Sequence, residues 1–288
     1  MITASDNVWQ VAHGRSLKLD GDGLIMAIVN ATPDSFSDGG RYLGAERAVS
    51  HALACVEDGA HIIDIGGEST RPGGDPVTAQ QEQDRVLPVI ECLAKETDAL
   101  ISIDTYRAET AKLAVEAGAH IVNDVFGLQK DEKMSGVVAS TVAGVCIMHT
   151  GRERQKLPDV IADQFAFLNH SLDIAAKAGI SRNAIMLDPG FGFAKDTPEN
   201  VALMSRFDEL AAFGLPILAG TSRKRFIGAL TGRDDAEKRD VGTAATTAIL
   251  RLAGAHVFRV HNVSMTRDAL TIADAILAHK KQKGEGRY

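Results

Sequence analysis

Polar side chains recur where short apolar runs of this sequence end. Asp104 closes the run LISID, Asn123 and Asp124 close HIVND, and Asp188 closes AIMLD. A carboxylate accepts two parallel N–H bonds, and an amide both donates and accepts, so such groups can grip the guanidine-like edge of a heterocycle. The pattern predicts a pocket for a polar, nitrogen-rich ring if the ends of these runs meet in space.

A basic segment, TSRKRF, follows the apolar run PILAG at residue 220. Arg223, Lys224 and Arg225 are alternative ligands for a phosphate there, and Ser222 adds a hydroxyl donor. Cations at a helix N-terminus are electrostatically unfavourable unless they meet an anion. We therefore prefer an anion site to a solvated basic patch.

Four further polar residues lie at or near the ends of other apolar runs. Arg259 and His261 alternate, so both can face one side of a strand and its exit, where they form a second candidate anion clamp. Asn30 can bind Mg²⁺ through its amide oxygen, because Mg²⁺ takes one or two protein oxygens together with substrate phosphate. A single asparagine is more often a cap, and Asp64 is as readily a cap for loop amides as a ligand.

Eight apolar runs alternate with amphipathic, alanine-rich stretches. Each run is nearly continuous, as in strands buried on both faces of a parallel sheet. Eight alternations favour an α/β fold of the (β/α)8 barrel type, whose site lies at the carboxyl ends of the strands. The predicted strands are 24–30, 61–65, 100–104, 120–124, 144–149, 184–188, 216–220 and 257–260. Predicted helices between them include 44–58, 78–97, 107–117, 197–212 and 237–253.

The tripeptide Gly-Ala-His occurs three times, each time between a predicted helix and a predicted strand. Gly59, Gly118 and Gly254 stand where a helix ends in a left-handed residue. Residues 1–23, with a Gly-Asp-Gly turn at 21–23, are interpreted as a hairpin that covers the bottom of the barrel.

One domain over residues 1–288 is expected, with the barrel core at about 24–281. Two long loops rich in Gly, Ser, Thr and Pro, at 31–43 and 66–77, are predicted to be lids over the site.

Composition excludes several classes of protein. The net charge of -7 gives no indication of a basic surface for nucleic acid. The sequence has no run of 18 apolar residues, so it predicts no membrane span. Walker A, HExxH and GxSxG patterns are absent, which disfavours NTPases, zinc proteases and α/β-hydrolases. The three cysteines form no CxxC pair, so we interpret them as buried thiols of a cytoplasmic protein.

Seven segments together resemble the dihydropteroate synthase family, in the family's order and across roughly residues 24–263. They are NATPDSFSDGG (30–40), DIGGESTRPG (64–73), SIDTYR (102–107), VNDVFG (122–127), LDPGFGFAK (187–195), TSRKRFIG (221–228) and RVHNV (259–263). The resemblance implies transfer of a pterin-methyl group from oxygen to the amine of p-aminobenzoate, with release of pyrophosphate. It also implies Mg²⁺ as cofactor and a homodimer.

The resemblance implies roles for individual residues. The pterin-binding residues would be Asp104, Asn123, Met148, Asp188, Phe193 and Lys224. The p-aminobenzoate-binding residues would be Thr70, Arg71, Pro72, Phe193, Ser222 and Lys224. The pyrophosphate-binding residues would be Asn30, Arg71, Arg259 and His261, with Asn30 also holding Mg²⁺. The catalytic residues would be Asp104, Lys224, Arg259 and His261.

The chain departs from the family pattern at two places. After the fifth strand it has IMHTGRERQKL in place of a sequence closer to MHMQGxP, and Asn262 stands where Asp is usual. The main alternative function is a pterin-dependent methyltransferase domain, which needs neither the SRK nor the RVH motif. A Schiff-base aldolase using Lys224 and a non-catalytic pterin-binding protein are further alternatives.

Overall fold

Eight parallel strands form one sheet around a central interior. The computed structural model describes residues 8–31, 41–68 and 77–282. The eight strands are β3 (Leu24–Asn30), β4 (Ile62–Gly66), β5 (Leu100–Asp104), β6 (Ile121–Asp124), β7 (Gly144–Met148), β8 (Ile185–Asp188), β9 (Leu218–Ala219) and β10 (Val257–Val260). Their order in space is β8-β7-β6-β5-β4-β3-β10-β9, so sequence neighbours pair, and β10 also pairs with β3.

The sheet closes between its two edge strands. A parallel bridge joins Leu187 of β8 to Ile217, which directly precedes β9. The predicted α/β barrel of eight strands is therefore confirmed. The predicted seventh strand, 216–220, is too long, because regular pairing is limited to Leu218–Ala219.

Helices connect successive strands and cover the outside of the sheet. The predicted helix 197–212 is wrong in part, because the chain switches at Arg206 to a 3-10 helix over Phe207–Phe213. The predicted helix 237–253 likewise begins with a 3-10 turn, Glu237–Arg239. The α-helices are α1 (Arg41–Glu57), α2 (Ala79–Glu96), α3 (Ala108–Glu116), α4 (Met134–Thr141), α5 (Val160–Ala178), α6 (Thr197–Ser205), α7 (Arg225–Thr231), α8 (Asp240–Leu252) and α9 (Val263–Gln282). Within the described ranges, no helix combines the length and apolarity needed to cross a membrane.

A short antiparallel hairpin precedes the barrel, formed by β1 (Val8–Gln10) and β2 (Ser16–Lys18). The expected cover at the barrel bottom is therefore present. The chain reverses between β1 and β2 at His13 and Gly14, which both have positive φ. The Gly-Asp-Gly segment follows the hairpin, where Gly23 leads into β3 and donates its N–H to Asp274.

Trp9 of β1 fills the lower end of the barrel interior. It is fully buried, and its indole N–H donates to the carbonyl of Ala184 at 2.9 Å. Inward-facing apolar side chains of the eight strands pack around it, for example Leu100, Ile121 and Met186. A second apolar layer, which includes Ile63 and Ile101, lies between the sheet and the helices. Burial of the hairpin's aromatic residue thus closes the end of the barrel opposite the predicted site.

The Gly-Ala-His repeat ties neighbouring strands together. Each glycine has a positive φ between 104° and 119°, as predicted for the residue after a helix. Each histidine then forms a reciprocal pair with an isoleucine of the adjacent strand or its approach. Its backbone N–H donates to the isoleucine carbonyl, and its ring Nδ1 accepts the isoleucine N–H. The pairs are His61 with Ile25, His120 with Ile101, and His256 with Ile217.

Replacement of Trp9 tests the contribution of the hairpin to stability. Trp9→Ala should lower the free energy of unfolding by about 3–5 kcal/mol, because it empties a site that the strands cannot refill. Trp9→Phe keeps most of the packing and should cost less, chiefly the lost N–H bond of about 1 kcal/mol. Urea unfolding measures both. A loss below about 1 kcal/mol for Trp9→Ala would show that the hairpin does not close the barrel.

The hydrogen bond that His120 accepts predicts how the stability of the protein changes with pH. Burial lowers the pKa of His120 from 6.5 to about 4, and the charges of Arg15 and His13 add to the shift. Its Nδ1 accepts the N–H of Ile101, which it can do only while it is unprotonated. The unfolded chain therefore takes up a proton first, and stability is lost as pH falls from about 6.5 towards 4. His120→Gln should reduce that slope by up to about one proton.

Urea unfolding between pH 7 and pH 4.5 measures the slope for His120→Gln. His170→Gln, a change at an exposed histidine of α5, is the matched control and should leave the slope unchanged. Equal slopes for the wild type and His120→Gln would contradict the role given to Nδ1.

Candidate active site

A buried ion-pair network occupies the upper interior of the barrel. The guanidinium of Arg259 on β10 donates to Asp64 on β4 at 2.5 Å and to Asp104 on β5 at 2.6 Å. The amide of Asn123 on β6 donates to the same oxygen of Asp64 at 3.1 Å. Alternation along each strand explains the placement: Leu100, an interior apolar residue, precedes Asp104 by four positions and faces the same side.

Two carboxylate oxygens of this network have no hydrogen-bond partner among the described residues, namely Oδ1 of Asp64 and Oδ1 of Asp104. Burial raises the pKa of Asp104, and the guanidinium of Arg259 opposes the rise. Burial alone would lower the pKa of Arg259, but the two carboxylates outweigh it and raise that pKa above its usual range. Asp104 thus offers an unfilled acceptor for a ligand N–H, whereas Asp64 is wholly buried behind Arg259.

Among the residues that the structure describes, the side chain of Asp64 caps no loop amide, which was one of its two predicted roles. Its side chain accepts from Arg259 and Asn123 instead, so it orients two predicted ligand-binding residues. Asp124 is the residue that caps a loop, accepting the backbone N–H groups of Phe126 and Leu128.

Asp188 and Lys224 form a second group on the same rim. Oδ1 of Asp188 accepts the N–H of Gly190 at 2.7 Å. The ammonium of Lys224 donates to the carbonyl of Phe191 and lies 4.6 Å from the ring centre of Phe193. Burial lowers the pKa of Lys224 to about 7 although Asp188 opposes this shift. Burial also raises the pKa of Asp188, and Lys224 is the strongest opposing influence.

The loop after β8 depends on glycine at two positions. Gly190 has a φ of +65°, and a Cβ there would lie 1.9 Å from the carbonyl oxygen of His149. Gly192 has a φ of +76°, and a Cβ there would lie 2.9 Å from the side chain of Lys224. The segment GFGF thus lets the loop pass close under both neighbouring strand exits and brings Phe193 to Lys224.

Ser222 and His261, which were predicted to serve different ligands, are in contact. The Oγ of Ser222 lies 2.9 Å from Nδ1 of His261 and accepts the backbone N–H of His261 at 3.1 Å. The contact joins the exits of β9 and β10. A ligand at Ser222 therefore lies beside any anion held by His261.

Met148 and Asn30 complete the predicted set of described residues. Met148 is buried at the end of β7, and its Cγ lies 3.3 Å from where a Cβ of Gly190 would stand. Asn30 is exposed at the end of β3, with its Oδ1 on the same side as Asp104, next to Gly66. Thr70, Arg71 and Pro72 lie outside the described residues, as do most of the two predicted lid loops.

The metal prediction depends on Asn30. Residues 8–31, 41–68 and 77–282 contain no group of three or more His, Cys, Asp or Glu side chains that could hold a metal ion. An amide oxygen is nevertheless a donor that Mg²⁺ accepts, and Mg²⁺ commonly takes most of its other ligands from water and substrate phosphate. Asn30 fits such an ion if the phosphate arrives with it.

Arg223, one of the sequence-based alternatives for a phosphate ligand, forms an ion pair within the protein. Its guanidinium forms two bonds with Asp240 at the start of α8, at 2.7 and 2.8 Å. Asn262 donates to the same carboxylate at 3.0 Å, which an aspartate at position 262 could not do without a proton. The charge of Arg223 at this helix start is therefore neutralised within the protein, whereas that of Lys224 is not paired with Asp240.

Sequence reasoning missed a second buried polar group, beneath the exits of β7 and β8. Lys195, His149 and Asp163 are connected by hydrogen bonds, and Arg154 binds Asp163 through two nitrogens at 2.6 and 2.9 Å. The signals were a histidine directly after an apolar strand and a lysine at the end of GFGFAK. Nothing in their spacing relates them, because 46 residues separate His149 from Lys195.

The comparisons with known proteins agree with this geometry. The sequence profile of the family described as "Pterin binding enzyme" matches residues 26–261. The chain therefore belongs to the pterin-binding enzymes. A dihydropteroate synthase of Bacillus subtilis (strain 168) is 44% identical over 254 residues, which are 88% of this chain and 88% of that protein. Within its family, the chain groups with the dihydropteroate synthases.

Solved structures agree on the fold. A Xanthomonas albilineans dihydropteroate synthase with 4-aminobenzoic acid has a TM-score of 0.89 at 43% identity, covering 95% of this chain and 99% of that one. A structure of the Xanthomonas albilineans enzyme in complex with 7,8-dihydropteroate has a TM-score of 0.85 at 42% identity, covering 93% and 98%.

Substitution of two neighbouring residues of the SRK motif distinguishes a residue that stabilises the fold, Arg223, from one that binds substrate, Lys224. Arg223→Gln breaks the pair with Asp240 and should lower the free energy of unfolding by about 1 kcal/mol, while the KM of each substrate changes less than about threefold. Lys224→Gln should raise both KM values by about tenfold or more, because its ammonium lies between Asp188 and Phe193. Steady-state kinetics and urea unfolding of both variants measure this. A large KM change for Arg223→Gln would return that residue to the anion site.

Proposed function

We propose that this protein condenses 6-hydroxymethyl-7,8-dihydropterin pyrophosphate with p-aminobenzoate to give 7,8-dihydropteroate and pyrophosphate. The observation that carries the proposal is one rim with three kinds of group. An acceptor set for a heterocycle (Asp104, Asn123 and Asp188) adjoins a lysine over an aromatic ring and an arginine–histidine pair suited to an anion.

The pterin would lie against the buried carboxylates. The open Oδ1 of Asp104 and the carboxylate of Asp188 are acceptors for the ring N–H groups, and Asn123 can donate as well as accept. Met148, buried beside Gly190, offers an apolar face for the ring. Asp64 does not touch this ligand; it fixes Asn123 and Arg259 in place.

Departure of pyrophosphate is the difficult step. The C–O bond at the pterin methylene breaks, and the bonding electron pair leaves with the pyrophosphate oxygen. Arg259 and His261 would neutralise the charge that develops on that oxygen, a preorganised electrostatic effect. Arg259 would do so through Nη1, the terminal nitrogen that binds neither Asp64 nor Asp104. Mg²⁺ held by Asn30 and the phosphates would add Lewis-acid stabilisation when bound. Electron density of the pterin ring and the nearby carboxylate of Asp104 would favour the developing carbocation.

The second substrate would approach from the side of Phe193. The ring of p-aminobenzoate packs against Phe193, and its carboxylate lies near Ser222 and Lys224. The aryl amine attacks the methylene carbon, a C–N bond forms, and the amine proton is lost to water. Thr70, Arg71 and Pro72 complete this pocket in our proposal. No protein nucleophile is required.

We further propose that the protein is a homodimer in the cytoplasm. Four large apolar side chains are exposed on α8 and α9, which pack against each other: Val241, Ile249, Ile272 and Ile276. Exposed apolar residues grouped on adjacent helices favour burial against a second copy. All three cysteines are free, and Cys55 and Cys146 are buried, as is usual where thiols stay reduced.

An assay of product formation tests the reaction. Purified protein is incubated with the pterin pyrophosphate, radiolabelled p-aminobenzoate and Mg²⁺. We expect labelled dihydropteroate that depends on Mg²⁺ and is inhibited competitively by a sulfonamide, since such compounds resemble p-aminobenzoate. Pterin binding without any product would instead favour the methyltransferase or the non-catalytic binding protein.

A further inference from the structure

The missed polar group beneath β7 and β8 forms one continuous hydrogen-bond chain. The ring of His149 lies between Lys195 Nζ, 2.9 Å from its Nδ1, and Asp163 Oδ2, 3.0 Å from its Nε2. Lys195 also donates to the carbonyl of Gly190 at 2.9 Å, and the N–H of Gly190 donates to Asp188. The chain thus runs from helix α5 to a carboxylate of the proposed pterin pocket.

The protonation states along this chain are fixed by its donors. The Lys195 ammonium donates to Nδ1 of His149, which leaves the ring proton on Nε2, facing Asp163. Nη2 of Arg154 also lies 2.9 Å from Nε2, and in this tautomer its N–H serves Asp163 and not the ring. Burial lowers the pKa of His149 to about 4, so the ring is neutral at pH 7. Burial would raise the pKa of Asp163, but His149 and Arg154 hold it well below its usual range. An ionised carboxylate thus anchors the chain at α5.

Burial is nearly complete along this chain. His149 is 0%, Asp163 3% and Lys195 9% exposed. A lysine this deep is unusual unless it is paired. No carboxylate is within hydrogen-bonding distance of Lys195 in the described part of the chain, and its two hydrogen-bond partners there, the His149 ring and the Gly190 carbonyl, are uncharged. Its charge therefore serves something other than a direct ion pair.

We propose that Lys195 is a positioning residue for Asp188. It holds the carbonyl of Gly190 so that the Gly190 N–H meets the carboxylate, and its positive charge favours the ionised form that accepts pterin N–H groups. This inference rests on the proposed function and adds to it a residue that never touches the substrate.

The charges around Lys195 and Asp188 show in which direction loss of the Lys195 charge changes the pKa of Asp188. Lys195 is surrounded by Lys224, Asp188, Asp163 and Arg154, and burial together with Lys224 lowers its pKa to about 7. Burial raises the pKa of Asp188, against the opposing charges of Lys224, Arg259 and Lys195. Loss of the Lys195 charge therefore raises the pKa of Asp188 further. Pterin binding should then weaken as pH falls, because a protonated Asp188 no longer accepts two bonds.

Three substitutions separate charge from packing. Lys195→Met removes both the charge and the donor, and Lys195→Gln restores a donor for Gly190 without charge. Lys195→Arg keeps both. Lys156→Met is the matched control, since Lys156 binds the same loop from outside, through the carbonyl of Ala194 at 2.7 Å, and pairs with Glu199.

The readout is the Kd of 6-hydroxymethylpterin by calorimetry from pH 6 to pH 9, without p-aminobenzoate. For Lys195→Met and Lys195→Gln we expect binding about tenfold weaker than wild type at pH 6.5. The gap should shrink to about threefold or less at pH 9, where wild-type Lys195 has itself lost its charge and Asp188 is ionised without it. Lys195→Arg and Lys156→Met should follow the wild type. In an Asp188→Asn background, Lys195→Met should add no dependence on pH.

Three results would overturn the inference. One is wild-type affinity at every pH in both uncharged variants. Another is a loss that is equal at pH 6.5 and pH 9, which indicates packing alone. The third is the same pH-dependent loss in Lys156→Met. A wild-type protein that fails to bind the pterin at all would count against the proposed function instead, so the two failures are distinguishable.

Discussion

The guanidinium of Arg259 connects strands that do not pair with each other. Strand β10 pairs with β3 and β9, yet Arg259 binds carboxylates on β4 and β5. The contact crosses the barrel interior, because β3 separates β10 from β4 in the sheet and β5 lies one strand further. Removing one member of a buried ion-pair network leaves the others uncompensated, which typically costs about 3–5 kcal/mol. The closed barrel and the charged interior therefore depend on each other.

The interior changes from apolar to polar along each strand. On β5 the inward side chains are Leu100, Ser102 and Asp104, in that order towards the carboxyl end. Trp9 fills the apolar end, opposite the polar groups. Charge can be concentrated at the polar end because the lower half, with its continuous apolar packing, supplies the stability. The residues that hold the fold and the residues of the candidate site thus occupy the same strands at different heights.

Most of the fold could be predicted because a parallel barrel repeats one local signal eight times. Strands such as 100–104 and 257–260 are continuous apolar runs, and their bounds agree with the structure. Strand β9 was overestimated because PILAG is apolar throughout, although only two of its residues pair. The break at Arg206 was missed because the apolar pattern continues from α6 into the 3-10 helix. An apolar pattern predicts which residues are buried, but it does not predict whether their backbone forms strand, α-helical or 3-10 hydrogen bonds.

The site was predictable only where a residue's role follows from its place on a strand. The ends of β5, β6 and β8 bring Asp104, Asn123 and Asp188 to one rim, as their positions indicated. Partners between distant loops carried no such signal. The pair of Arg223 with Asp240 spans 17 residues, and the contact of Lys195 with His149 spans 46. Which cation faces an external anion and which is neutralised internally is decided by these contacts, and periodicity says nothing about them.

The distinction between cations that are neutralised internally and cations that face a ligand explains how an acidic protein can attract anions. The net charge is -7, yet the exits of β7, β8 and β9 hold Lys195 and Lys224 with lowered pKa values, and Arg152 stands 4.6 Å from the ring centre of Phe193. Lys224, Arg259 and Lys195 are the positive charges that act on Asp188, whereas Arg154 is bound to Asp163. Two lysines near one carboxylate depress each other's protonation, and an arriving anion reverses that effect. Both proposed substrates are anions, so each would stabilise the charges that bind it, and the field that attracts them is confined to one rim of the barrel.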